Sequence, residues 1–192
     1  MVDVSVPVMT RLIYNTATSL DGFIADGQHS LDWLFAVQQD GIDVAQSAFE
    51  STVGVQVEGS NTYEWVLAQT GVLENPELWT QFYAHRPTFV FTNRTLPTPE
   101  GADVRFIHGD VADHLEAIRE AAAGLDVWIV GGGELAAQFV DAGALDEIRM
   151  SVAPVALGAG APLLPRRIGS DRLTLRSARR AGRFGELIYD VS

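Results

Sequence analysis

The stretch VWIVGGGELAAQF, Val127–Phe139, sets Val127, Trp128, Ile129 and Val130 directly against three consecutive glycines and then continues in helix-forming residues. Strand formers ahead of bare backbone, with an apolar helical pattern behind it, predict a buried strand that turns sharply into a helix. At such a joint the free backbone N–H groups and the positive end of the helix dipole offer a place for an anion, typically a dinucleotide pyrophosphate, and side chains would block its approach. The spacing is not Gly-x-Gly-x-x-Gly, and the triplet falls late in the chain instead of opening a first βαβ unit, so this is not a Rossmann fingerprint. On its own, such a turn serves tight strand-to-helix packing as readily as phosphate binding.

Outward from the triplet, strand-like runs alternate with helix-like ones, which points to an α/β sheet. RLIYNTATSLDGFIA (11–25) reads as a first strand closing on an Asp-Gly turn, with apolar character resuming at Phe23 and Ile24. GIDVAQSAFE reads as a helix, and VGVQV from Val53 as a strand running into EGSNTYEWVLAQ, where Ser60 or Asn61 caps a helix starting near Thr62. TFVFTN and VRFIH are short strands, VADHLEAIREAAAG is a helix ended by a glycine, and a helix to about Asp141 follows the triplet. EIRMSVAPV is the next strand, and LTLRSARRAGRFGELIYDV closes as two strands around a Gly-containing, Arg-rich connection.

The 192 residues, 47% hydrophobic and 20% charged, suit one domain over 1–192, with 1–9 a flexible or extended N-terminus. No apolar run approaches the roughly 20 residues of a membrane span, and MVDVSVPVMTR lacks a signal-peptide core, so the expectation is a soluble cytoplasmic protein with no membrane partner. A net charge of -12 argues against a nucleic-acid surface. The chain has no cysteine, and every basic residue is Arg; this removes disulfides, thiolate chemistry, Schiff-base lysines and the P-loop lysine. His29, His85, His108 and His114 have no metal-ligand spacing, and Ser19, Ser30 and Ser151 lie in no Gly-x-Ser-x-Gly elbow.

SLDGFIA, EGSNTYEW and VWIVGGGELAAQFVDAGALDEIRMSVAPVALGAGAPLLP occur in the order found in the dihydrofolate reductase-like superfamily, and the last resembles the C-terminal reductase domain of the riboflavin-biosynthesis deaminase-reductase. The resemblance extends from Arg11 to Asp190 and implies a single-domain α/β fold with an eight-stranded, mostly parallel sheet flanked by helices. It also implies NADPH across the strand ends, a small heterocyclic (pyrimidine- or pterin-like) substrate beside the nicotinamide, and a homodimer. Carried onto this sequence, it places Ala17 and Ile24 along the nicotinamide, and Gly59, Ser60, Asn61 and Thr62 at the cofactor phosphates. Thr92, Asn93 and Arg94 fall near the adenosine, and Gly131, Gly132, Gly133, Glu134 and Leu135 at the pyrophosphate turn. Each has a plainer reading: Thr62 as an early-turn helix residue, Arg94 as a solvated charge, Ala17 as core.

The departures from the family pattern matter as much. Ser60 stands where an arginine usually favours the 2'-phosphate of NADPH, which leaves NADH an alternative, with Arg94 the replacement cation. About five residues after the substrate-loop Trp the folate enzymes place a carboxylate; counting from Trp33 gives Gln38, with Asp32, Asp40 and Asp43 nearby. Asn15, the SNTYEW stretch and Gly131 replace a lysine, an Ala-Asp-Asn-Pro run and a glutamate of riboflavin-pathway reductases, so a different substrate is expected. In SLDWLF, Trp33, Leu34 and Phe35 read either as the buried start of a helix or, with Asp32, as the edge of a substrate pocket. Asp32 is the candidate acid or orienting group, Trp33 its neighbour, Ser151 a hydrogen-bond partner, and water an equal proton source. The alternative function is a non-catalytic nucleotide-binding or dimeric interaction module on the same scaffold.

Overall fold

The computed structural model describes residues 9–38 and 43–192. The N-terminal stretch 1–8 and Asp40 lie outside the described residues, as does the side chain of Asp43. The first half of the chain forms β1 (Leu12–Thr18), β2 (Phe23–Ala25), α1 (Asp32–Phe35), α2 (Asp43–Glu50), β3 (Val53–Gly59), α3 (Ser60–Thr70) and α4 (Glu77–Tyr83). It continues with β4 (Thr88–Phe91), β5 (Val104–Ile107), α5 (Val111–Ala121), β6 (Asp126–Gly131) and α6 (Gly133–Asp141). The chain closes with β7 (Glu147–Val152), β8 (Ala161–Pro162), β9 (Leu173–Ala181) and β10 (Phe184–Val191).

Eight strands form one sheet in the order β5-β4-β3-β6-β1-β7-β10-β9. Every pairing from β5 to β7 is parallel, and the two pairings made by β10 are antiparallel. The sheet is therefore eight-stranded, mostly parallel and flanked by helices, as the resemblance implies. Alternation along β1 sends Leu12 and Tyr14 into the cluster under α5 and α6, which holds Ile118, Leu135, Phe139 and Ile129. Ile13 points the other way, against Phe49 of α2 and Trp128. A third cluster joins Tyr63 and Val66 of α3 to Trp79 and Tyr83 of α4. Buried side chains of this size each contribute about 1.5–3 kcal/mol on leaving water, which fixes the helices on the strands.

Three local features differ from the sequence reading. Helix α3 begins at Ser60, with Gly59 as an extended N-cap (φ -85, ψ 160) and no side-chain cap, so neither Ser60 nor Asn61 caps a later start. The chain passes straight from β3 into the helix, which leaves its first backbone N–H groups open. Helix α4 was not anticipated, although Trp79 and Tyr83 sit at i, i+4 and are both buried. The Gly/Pro-rich 151–165 segment yields the short β8, which pairs with β2 as an antiparallel ribbon separate from the main sheet.

Candidate functional site

The parallel strands deliver their C-terminal ends to one rim, where such sheets bind ligands. Register puts Ala17 of β1 opposite Ser151 of β7, and Glu58 of β3 opposite Gly131 of β6. A cleft of about 390 Å³ opens there. Its inner wall is Thr16, Val130, Gly131 and Gly132; α3 contributes Asn61, Thr62 and Trp65. The β2–β8 ribbon covers it with Ile24, Ala25, Ala161 and Pro162, and His29 and Leu31 extend that cover.

Two helices begin at this cleft, α3 after Gly59 and α6 after Gly132, so two positive dipole ends face the same space. The first turn of α3 carries no acidic residue, and the one in α6, Glu134, is paired with Arg166 at 2.7 Å. The glycines of the triplet divide their work. A Cβ on Gly132 would meet nothing within 4 Å, and its backbone is extended (φ -84, ψ 170), so a left-handed turn is not what glycine serves here. A Cβ on Gly133 would lie 2.5 Å from the Leu163 carbonyl oxygen and nearer still to that of Pro162, so this glycine lets the β8 strap lie flat on α6. The Gly131–Gly132 peptide is cis.

Tyr14 ties the same strap to the sheet: its hydroxyl donates to the Leu163 carbonyl at 3.0 Å, and burial pushes its phenol well above the usual range, so it remains a donor.

An inner cleft of about 240 Å³ shares Thr16 and Val130 with the first and is otherwise lined by Asn15, Ala17, Leu34, Gln46, Trp128, Ser151 and Phe184. None of these titrates near neutrality. Asn15 donates from Nδ2 to Gln46 Oε1 at 3.1 Å, Gln46 donates to Glu50 at 2.9 Å, and Trp128 Nε1 donates to the Asn15 carbonyl at 2.9 Å. An outer recess of about 270 Å³ continues past Asn15, Gln46 and Ser151 to Arg149, Arg179 and Glu186. Arg149 is committed there to Glu147, as are Arg11 and Arg176. Burial opposes ionisation of Glu147, but the Arg149 hydrogen bond and the three guanidinium charges outweigh it and hold the carboxyl below its ordinary value.

Of the residues singled out in the sequence, Ile24, Asn61, Thr62, Gly131, Gly132 and Glu134 line the first cleft, and Ala17 and Ser151 line the inner one. Gly59 and Ser60 sit at the α3 start. Thr92 is buried and its Oγ1 accepts the Arg94 N–H at 3.0 Å; Asn93 is exposed. The Arg94 guanidinium reaches Glu64 at 2.6 Å and Asn61 at 3.4 Å, beside the first turn of α3. Leu135 lies in the core, and Gly133 packs behind the cleft rather than facing it. Asp32 is exposed and lines none of these three spaces, and Trp33 packs with Val37, Ala153 and Phe184, its buried Nε1 without a partner among the described residues. Sequence reasoning missed Thr16, His29, Leu31, Trp65 and Pro162 as lining residues; the i, i+4 pair Asn61 and Trp65 on one face of α3 was the available signal. Among the described residues no group of His, Asp and Glu could hold a metal ion, and no helix is long and apolar enough to cross a membrane.

A mostly parallel sheet with an antiparallel C-terminal hairpin and a cleft over its strand ends is the dihydrofolate reductase-like architecture. The structure of dihydrofolate reductase from Enterococcus faecalis complexed with NADP(H) superposes with a TM-score of 0.60 at 16% identity, covering 96% of this chain and 98% of that one. The profile of the RibD C-terminal domain matches residues 65–183, more than half of the chain, and the protein belongs to that family. The structure of a proposed riboflavin biosynthesis protein from Shewanella sp. PV-4 superposes with a TM-score of 0.76 at 25% identity, covering 95% of this chain and 99% of that one. The uncharacterized protein YwjB of Bacillus subtilis (strain 168) is 33% identical over 179 residues, covering 93% of this chain and 97% of its own. The chain is thus a RibD C-terminal domain with the fold also seen in dihydrofolate reductase.

Proposed function

We propose that this protein is an NAD(P)H-dependent reductase that passes a hydride to a small heterocyclic acceptor, working in the cytoplasm as a homodimer. The observation that carries the reading is the convergence of two helix N-termini on a cleft whose Gly132 backbone faces open space, with a second, uncharged cleft sharing its Thr16 and Val130 lining. The α6 start and Asn61 and Thr62 of α3 would hold the pyrophosphate, Ser60 and Arg94 the adenosine side, and Thr16, Ala17 and Ile24 the nicotinamide. The bound cofactor supplies the hydride; the chain supplies orientation. In the inner cleft Asn15 and Ser151 offer an amide oxygen and a hydroxyl to an acceptor's polar edge. No side chain lining it can yield a proton near neutral pH, so the proton comes through Ser151 from water, with Asp32, on the helix that carries Leu34, orienting the substrate from outside.

The test is oxidation of NADPH and NADH followed at 340 nm against pterins, pyrimidine reductase substrates and quinones. Cofactor-dependent turnover of one class supports the reading; failure to bind either cofactor refutes it. The uncharged inner cleft also favours a second reading, a nucleotide-binding module without chemistry, and tight binding with no turnover across the panel would select it.

A further inference from the structure

The cover of the first cleft is not part of the main sheet, and one exposed carboxylate fastens it. Asp21, in the turn between β1 and β2, accepts from the Ser19 hydroxyl at 2.6 Å, from the Leu157 backbone N–H at 3.0 and 3.1 Å, and from the Gly158 N–H at 2.6 Å. Gly158 has φ +75, so the two successive N–H groups of Leu157 and Gly158 turn toward one point and form a concave anion nest. Asp21 fills that nest from a segment 136 residues away in sequence. Ser19 is itself buried and its Oγ accepts the Phe23 N–H at 2.9 Å, the first residue of β2. Around the carboxylate, Leu20 N–H donates to Val155 O at 2.7 Å and Leu163 N–H to Gly22 O at 2.9 Å. The hydrogen bond from Ser19, then those from Leu157 and Gly158, hold the Asp21 carboxyl down to about 2, so it stays anionic at any working pH. A carboxylate so held has no proton to exchange. What it controls is the relative position of β2, which carries Ile24 and Ala25, and β8, which carries Ala161 and Pro162, all four lining the cleft.

We infer that Asp21 is a positioning residue for the nicotinamide half of the cofactor: by filling the Leu157–Gly158 nest it locks the β2–β8 ribbon over the cleft, without touching the ligand. This rests on the cofactor reading above. Preorganised walls raise affinity because ordering is not left to the ligand, so releasing the ribbon weakens only the part of the ligand beneath it. In Asp21→Ala, NADPH affinity should fall by about tenfold or more, while 2',5'-ADP, which ends at the α3 side, should change by less than about twofold. Added sodium formate should refill the vacated nest and restore NADPH affinity in Asp21→Ala, and should do nothing in Asp21→Asn, whose amide still occupies the space. Equal losses for both ligands, an Asp21→Ala variant that binds NADPH as the wild type does, or no rescue by formate would each overturn the inference. Wild-type protein that binds neither ligand would instead refute the cofactor reading, and the positioning role with it. Should Asp21→Ala fail to fold, Asp21→Asn, which cannot accept from both nest N–H groups and Ser19 as an anion does, carries the same comparison of NADPH with 2',5'-ADP.

Discussion

Replacing Gly132 with valine separates ligand binding from folding, because the site of the new side chain is empty in the protein alone. The residue already has φ -84 and ψ 170, a region that valine readily adopts, and a Cβ there meets nothing within 4 Å. Folding should be unharmed, or gain about 0.4–1 kcal/mol from the less flexible unfolded chain. On the cofactor reading proposed above, the space the side chain enters is the space a pyrophosphate needs. Hydrogen bonds to a charged group are worth about 1.5–3 kcal/mol each, so shielding two backbone N–H groups costs about 3–6 kcal/mol, roughly a hundredfold to ten-thousandfold in Kd. Gly133→Ala should behave the opposite way: its methyl meets the Pro162 and Leu163 carbonyl oxygens, and overpacking of this kind costs about 1–3 kcal/mol of stability. Fluorescence titration with NADPH and thermal melts on both variants read the two effects. A Gly132→Val protein that melts like the wild type and binds NADPH equally well would refute the placing of a pyrophosphate at this turn.

Arg94 should carry what preference the protein has for NADPH over NADH. Its pair with Glu64 is half exposed and worth at most about 1 kcal/mol, so the guanidinium is free to turn to a 2'-phosphate, a contact of about 1.5–3 kcal/mol. Arg94→Ala should bring the two affinities together, and an unchanged strong preference would dismiss the assignment. Glu58 gives a pH signature. It is fully buried beside the Tyr83 hydroxyl, and burial, only partly offset by that hydroxyl, pushes it up to about 8 from 4.5. Between those values the folded protein keeps a proton the unfolded chain has released, so this stability is whole below about 4.5 and is lost as pH rises through about 8, by up to about 1.4 kcal/mol per pH unit. Melting temperatures of wild type and Glu58→Gln from pH 5 to pH 8 should diverge, with the wild type falling more steeply; parallel curves would contradict the sign.

Much of the sheet was legible because its strands are strongly apolar and its helices strongly periodic. Leu12, Ile13 and Tyr14, or Val127 and Ile129, have no reading other than buried strand. The glycine triplet was legible as a strand-to-helix joint, but the different duties of Gly132 and Gly133 were not, since what presses on Gly133 comes from Pro162 and Leu163, distant in sequence. The ribbon of β2 and β8 was hidden for the same reason: strands of three and two residues show no periodicity, and only pairing defines them. Helix α4 escaped because its apolar face amounts to little more than Trp79 and Tyr83. Asp32 and Trp33 illustrate the limit for side chains, because sequence puts them in one turn whereas the fold sends one to solvent and the other inward.

Among the described residues, strand β9 ends the main sheet with β10 on one side only, so a row of backbone N–H and C=O groups faces outward, a template on which another chain could add a strand. Its middle carries Arg176, Arg179 and Arg180, with Arg183 in the turn beyond, while the opposite terminal strand, β5, is only four residues long. Charge at one end and brevity at the other are the usual guards against sheets running on from molecule to molecule. Arg176 is paired with Glu147 and Asp190, and Arg179 with Glu186, so a second copy laid along β9 would meet these ion pairs together with the exposed Arg180 and Arg183. Both ends of the main sheet are thus guarded against strand addition by a further copy, the route by which sheets run on into fibres.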